Sequence, residues 1–123
     1  MGNFGRIAYM EPKRILDPKF PYTKFSDIYS FGVLMWEISS GYPPFKDNIS
    51  NIGIHALAIA INNGARETPI PNTPKEYQEL YENCWNQIPE ERPNISKILD
   101  EFTKMGFGIN KLIKVNGMYS TIY

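Results

Sequence analysis

The sequence predicts a mainly α-helical fold with four principal helices, one of them buried at the centre, and three observations lead there. Residues 26–41 carry Ile28, Phe31, Val33, Leu34, Met35, Trp36 and Ile38, which do not keep to a single stripe. A helix with that pattern has to be covered on several sides. Three later segments, 51–63, 74–85 and 95–105, place apolar residues at three- and four-residue steps. Prolines and glycines separate all four segments and leave no room for a longer continuous element. The central helix itself has clear ends: Ser26 reads as its N-cap, Asp27 puts a negative charge in the first turn, and Gly41 followed by Pro43 and Pro44 stops it.

The composition fits a soluble globular domain and narrows the function classes. The chain has 123 residues, 42% hydrophobic and 21% charged, with 13 basic against 13 acidic side chains. Such a balance gives no long-range field for gathering nucleic acid or an anionic membrane, and no Lys/Arg run forms a local patch. Neither nucleic acid nor membrane is expected as a partner. The most apolar window, residues 52–61, is too short to cross a bilayer. The single cysteine, Cys84, excludes an internal disulfide framework and fits a reducing compartment, cytoplasmic or else nuclear. His55 is the only histidine and has no second ligand at a metal spacing, so it reads as a helix-surface residue.

In chain order, residues 1–13 read as a glycine-containing loop that enters a short helical turn, and residues 14–25 as a connection to the Ser26 cap. Tyr42 to Asn48 reads as a rigid extended turn, because each proline fixes its own φ and restricts the residue before it; Phe45 then packs inward. Ser50 or Asn51 caps a second helix that Gly64 ends. After a proline-rich loop, Thr73 reads as an N-cap with Pro74 at the first helical position and Glu76 as capping-box partner. In this third helix Tyr77, Leu80, Tyr81, Cys84 and Trp85 share one face, and Cys84 is a small core residue with no histidine or basic group near it in sequence. Asn94 or Ser96 starts the last helix, whose stripe Ile95, Ile98, Leu99, Phe102 and Met105 is expected to be core. Residues 106–123 read as a poorly ordered tail, and the hydroxyls of Tyr119, Ser120, Thr121 and Tyr123 as unmodified.

The run Ser26-Asp27-Ile28-Tyr29-Ser30-Phe31-Gly32-Val33-Leu34-Met35-Trp36-Glu37-Ile38, followed by Ser40-Gly41-Tyr42-Pro43-Pro44-Phe45, resembles the central helix of the C-terminal lobe of eukaryotic protein kinases. Cys84-Trp85, then Pro89 and Arg92-Pro93, resembles a second motif of that lobe, and Trp36, Cys84 and Trp85 are similar to the tyrosine-kinase-like group. Gly5, Tyr9, Met10 and Pro12 match the end of the kinase activation segment, with Arg6 in the place of its threonine, Glu11 in the alanine place of Ala-Pro-Glu and Lys13 in the glutamate place. The resemblance implies that Gly5, Arg6, Ile7, Ala8, Tyr9 and Met10 form a loop that cradles the substrate residue beside the phosphoacceptor. It implies that Asp27 bonds the catalytic-loop backbone, and that Leu34 and Ile38 support the adenine-side spine. It also implies that Arg92 seeks a buried acid, yet the usual partner position holds Lys13. Two like charges held together away from water would cost on the order of several kcal/mol. Either Lys13 turns to solvent and Glu11, two residues earlier, partly takes over Arg92, or Arg92 pairs with another acid or with none.

The same resemblance covers residues 5–105 only, about the last third of a kinase domain. The chain contains no Gly-x-Gly-x-x-Gly, no Val-Ala-x-Lys, no His-Arg-Asp loop and no Asp-Phe-Gly. No catalytic, cofactor-binding or metal residue is therefore assigned, and ATP and Mg belong to a complete parent. The expected fold is the helical C-lobe portion of a kinase-like domain, residues 1–105, followed by the tail. Each large apolar side chain left uncovered on the central helix forfeits about 1.5–3 kcal/mol, so the chain alone is expected to be marginal or aggregation-prone. A start methionine directly before a loop end suggests a truncated product or an incomplete gene model. The expected function is the C-terminal part of a protein kinase domain whose parent transfers the γ-phosphate of ATP to Ser, Thr or Tyr hydroxyls of proteins. The alternative is a pseudokinase or C-lobe fragment that acts as an interaction module through the helix of residues 51–63 and the groove beside Pro43-Pro44, which Lys13 favours; an unrelated helical adaptor is the third reading. Expected partners are protein substrates or regulators and the rest of the kinase domain.

Overall fold

A computed structural model describes residues 6–106, 111–115 and 118–122. The chain divides into two units, Met1–Arg92 and Pro93–Tyr123. In the first, a 3-10 turn (Arg6–Tyr9) leads to α1 (Pro12–Leu16), the central α2 (Lys24–Ser40), α3 (Lys46–Asn62), α4 (Lys75–Cys84) and a second 3-10 turn (Pro89–Glu91). The second contains α5 (Ile95–Lys104) and the antiparallel pair β1 (Lys111–Val115) and β2 (Met118–Ile122).

The central helix starts one turn before the predicted cap. Thr23 has extended φ/ψ and its side chain accepts from the Phe25 N–H, while Ser26 Oγ accepts from the Thr23 N–H at 3.0 Å. Ser26 is thus the inner half of a capping box and is buried, not the cap itself. The other end is as predicted: Gly41 takes the left-handed conformation at φ 77 and its N–H reaches the Glu37 carbonyl at 2.8 Å. Ile28, Tyr29, Gly32, Val33, Met35 and Trp36 are buried, but Leu34 and Ile38, one turn apart, are 45% and 71% exposed. The described residues cover this helix on several sides, as the apolar pattern predicts, but not on all. One stripe stays open.

α2 and α4 pack closely at Gly32. A Cβ added at Gly32 would lie 2.7 Å from the Cys84 Cβ and 3.0 Å from the Tyr81 carbonyl. One of those neighbours is backbone and neither is a flexible side-chain end, so α2 and α4 must separate to admit a methyl group. Overpacking of this kind costs about 1–3 kcal/mol, and the better helix propensity of alanine returns about 1 kcal/mol. Gly32→Ala is therefore expected to lower the urea midpoint by an amount worth up to about 2 kcal/mol. An unchanged or higher midpoint would show that the α2–α4 contact yields freely.

Three further boundaries depart from the sequence reading. α3 begins at Lys46, not at residues 50–51, and a break at Gly53 (φ 83, ψ 162) divides it. It starts without a side-chain cap because Phe45 sits in the left-handed region (φ 57) and gives its N–H to the Glu67 carboxylate at 2.8 Å. Phe45 packs inward as predicted, and on α3 Leu57, Ala58 and Ile61 are buried while Ile52, His55 and Ile59 are exposed. α4 takes Pro74 as N-cap with no side-chain bond, and Thr73 Oγ1 donates backward to the Ile70 carbonyl at 2.7 Å instead of capping. Its buried face is the predicted one: Leu80, Tyr81, Cys84 and Trp85. Burial pushes the Cys84 thiol up to about 12, which leaves it without thiolate character.

In the second unit, Asn94 caps α5 by accepting from the Lys97 N–H at 2.8 Å, and Gly106 follows the helix at φ 87. Of the stripe expected to be core, Ile98 is fully buried, whereas Ile95 and Leu99 are more than half exposed. The β1–β2 pair, with Lys111 opposite Ile122 and Val115 opposite Met118, lies where the sequence reading assigns only a tail. Among the described residues no helix is long and apolar enough to cross a membrane.

Candidate functional site

The 3-10 turn of residues 6–9 is held from below, from the side and from behind. Below it, Ala8 is fully buried in a cluster with Phe45, Leu57 and Ile61, and Ile7, Tyr9 and Ile15 pack against that cluster. At its side, Ser30 Oγ of α2 donates to the Tyr9 carbonyl at 2.6 Å, and the Tyr9 hydroxyl donates to the Glu37 carboxylate. Burial and the adjacent Glu37 carboxylate hold the Tyr9 phenol well above its ordinary range. Ser30 and Glu37 stand seven residues apart on α2, two helical turns on one face, which is why one helix supplies both contacts.

Behind the turn is a buried ion pair. The Glu11 carboxylate, which caps α1, receives Arg92 Nη1 at 2.6 Å and Nη2 at 3.0 Å, and neither side chain is more than 1% exposed. Arg92 also donates from Nη1 to the Phe25 carbonyl at 2.7 Å and from Nε to the Asn86 carbonyl at 2.8 Å. This fork geometry satisfies the charge as well as the donors, as a buried pair requires. Arg92 and Arg66 both lie against the Tyr29 ring, 5.0 and 4.9 Å from its centroid. Among the described residues the buried Tyr29 hydroxyl has no hydrogen-bond partner, and burial pushes it up to about 12 even though both guanidiniums pull the other way. Arg66 is fixed in turn by the Trp85 carbonyl at 2.9 Å and by Gln87 Oε1 at 2.6 Å.

The outer face of the turn borders a cavity of about 350 Å³. Arg6, Tyr9, Met10 and Glu11 form one wall; Arg14, Tyr22 and Ser30 form the other. The Tyr22 hydroxyl donates to the Asp27 carboxylate, and Arg14 donates to the Phe20 carbonyl while its guanidinium lies 5.5 Å from the Tyr22 ring centroid. Chemically the arrangement binds and positions. Among the described residues no group of three or more His, Cys, Asp or Glu side chains is placed to hold a metal, and the one cysteine is buried.

The structure therefore brings Arg6, Ile7, Ala8, Tyr9, Met10, Glu11, Pro12 and Arg92 into one constellation; Gly5 lies outside the described residues. Lys13 is exposed, with its ammonium 5.6 Å from the Phe20 ring centroid, and takes no part in the ion pair. Of the two possibilities for Arg92, Glu11 is its partner, and it meets the charge fully. Asp27 is exposed, and Leu34 and Ile38 stand on the open stripe of α2. Trp36 is buried and donates its indole N–H to the Thr68 carbonyl at 2.9 Å; Trp85 is buried beside Tyr81, and Pro93 opens the second unit. Sequence reasoning did not single out Ser30, Glu37, Arg14, Tyr22 or Arg66 as site residues. The seven-residue spacing of Ser30 and Glu37 was a usable signal; nothing local marks Arg66.

Comparison with known proteins places this constellation in a family. The family described as protein tyrosine and serine/threonine kinase matches residues 2–102. Mitogen-activated protein kinase kinase kinase 11 of Homo sapiens is 36% identical over 104 residues, which is 82% of this chain and 11% of that protein. A probable LIM domain-containing serine/threonine-protein kinase of Dictyostelium discoideum is 31% identical over 84% of the chain and 15% of its own length. A mitogen-activated protein kinase kinase kinase of Drosophila melanogaster is 35% identical over 82% of the chain and 8% of its own length. The chain spans between a twelfth and a sixth of these relatives, and by the extent of the match and the identity it belongs to the protein kinase family.

Proposed function

We propose that this chain is the substrate-docking part of a protein kinase domain. The parent polypeptide would transfer the γ-phosphate of Mg-bound ATP to protein hydroxyls, a reading that the relatives' names, protein kinase kinase kinase and probable serine/threonine-protein kinase, support. The residues present do not fit the nucleotide or its metal: the sequence has neither a phosphate-binding glycine loop nor its lysine strand, and neither the Asp-Phe-Gly nor the His-Arg-Asp loop that would hold the metal. The chain's own contribution is a rigid loop that meets protein. The observation that carries this reading is the Glu11–Arg92 pair, which fixes the turn from behind and leaves its outer face free. Lys13 favours a pseudokinase reading only while Arg92 lacks an acid, and Glu11 removes that ground. Protein substrates or regulators and the remainder of the domain are the partners implied. A single buried thiol suits a cytoplasmic or nuclear setting.

The test compares two samples in the presence of Mg-ATP and a generic protein acceptor. The 123-residue chain is expected to transfer no phosphate and to show no nucleotide-dependent thermal shift, whereas the complete polypeptide that carries this chain in its own cells transfers phosphate. Transfer by the 123-residue chain overturns the assignment of chemistry elsewhere, and an inert complete polypeptide that still binds protein establishes the interaction-module reading.

A further inference from the structure

The cavity on the outer face of the turn has an unbalanced charge. Arg6 and Arg14 line it; among the described lining residues Glu11 is the one acid and is fully engaged by Arg92, while the Asp27 and Glu37 carboxylates behind the wall are each taken by a lining tyrosine hydroxyl. Arg6 is exposed and no carboxylate among the described residues pairs with it. The three hydroxyls of the lining have already spent their protons: Tyr22 on Asp27, Tyr9 on Glu37 and Ser30 on the Tyr9 carbonyl. What remains to donate is guanidinium N–H, from all of Arg6 and from the part of Arg14 not held by Phe20. We propose that this cavity takes an acidic side chain, aspartate or glutamate, of a docked protein segment, with Arg6 and Arg14 as the residues that select it. Two planar forks match a carboxylate bidentately, and Met10 with the Tyr22 ring offers apolar wall for the methylenes of a glutamate. The inference rests on the reading of this turn as a protein-docking loop.

The experiment uses the 123-residue chain and a library of octapeptides with a central serine or tyrosine, in which one position at a time is fixed as Glu, Gln, Lys or Ala and the others are random. Binding is read by fluorescence polarisation. At one position at least, Glu is expected to bind about tenfold more tightly than Gln, a preference that falls with added salt and is lost in Arg6→Gln. Because Arg6 is exposed and unpaired among the described residues, that variant keeps its fold; Lys97→Gln, which removes one charge from exposed α5, keeps the preference. Equal binding of Glu and Gln peptides, or a preference that survives Arg6→Gln, overturns the acidic pocket and leaves the docking loop standing. Absence of binding by every peptide overturns both.

Discussion

Glu11→Gln is expected to remove about 3–5 kcal/mol of stability, because it leaves the Arg92 guanidinium buried without a counter-charge. Single small domains hold only about 5–15 kcal/mol in all, so a loss of this size takes a large share of the whole. The urea midpoint and the circular-dichroism melt measure this. Lys13→Gln is the matched control: its side chain is exposed and outside the pair, and its effect is expected to stay within about 0.5 kcal/mol. Glu11→Met combined with Arg92→Leu removes the buried charge altogether and is expected to recover part of the loss. Recovery is incomplete because the Phe25 and Asn86 carbonyls then lose their donor, at about 1–3 kcal/mol for each buried group left unpaired. If Glu11→Gln and Lys13→Gln are equally mild, the pair does not hold the turn and the docking reading loses its support.

Ile61→Ala carries the second large effect. Ile61 is fully buried with Ala8, Phe45 and Leu57, and its truncation leaves a cavity under the 3-10 turn. The expected loss is about 2–5 kcal/mol, with the upper part of that range if the α3 backbone cannot collapse into the space. Because Ala8 rests on this cluster, amide exchange at Ala8, Tyr9 and Met10 is expected to accelerate more than exchange in α4. A uniform acceleration would mean that the cluster supports the whole first unit and not the turn in particular.

How much of this was legible in the sequence depended on whether the signal was local. Gly41 and Asn94 act through their own backbone or side chain on residues a turn away; the first was read directly and the second was one of two starts offered, with Ser96. Phe45 was placed inward, but the start of α3 was missed because its first N–H is satisfied by Glu67, 22 residues on. Thr23 and Ser26 are both good capping residues at the spacing of a capping box, and either choice fits the local pattern until the backbone shows which is extended. The helical period of Ile95, Ile98 and Leu99 was right, but a period says which side chains align and not which of them are covered. Within the candidate site, the family resemblance marked residues 5–10 and Arg92. The partner of Arg92 was left open between Glu11, another acid and none, since that choice depends on which side chain of the Glu11–Lys13 segment faces inward.

The Glu11–Arg92 pair joins positions 81 residues apart, near the two ends of the first unit. A short turn at the surface of a compact unit ordinarily opens first, because it can leave without disturbing anything else. Here the turn is clasped to the far end of its own unit as well as to α2 and the Ala8 cluster, and the ion pair closes the unit into a ring. Forming that link carries the loop-closure entropy of the whole ring, which places it late in folding. Once closed, it removes the cheap route of partial opening: residues 6–11 are released only when the ring opens, and the loop that meets a partner is as durable as the unit that carries it.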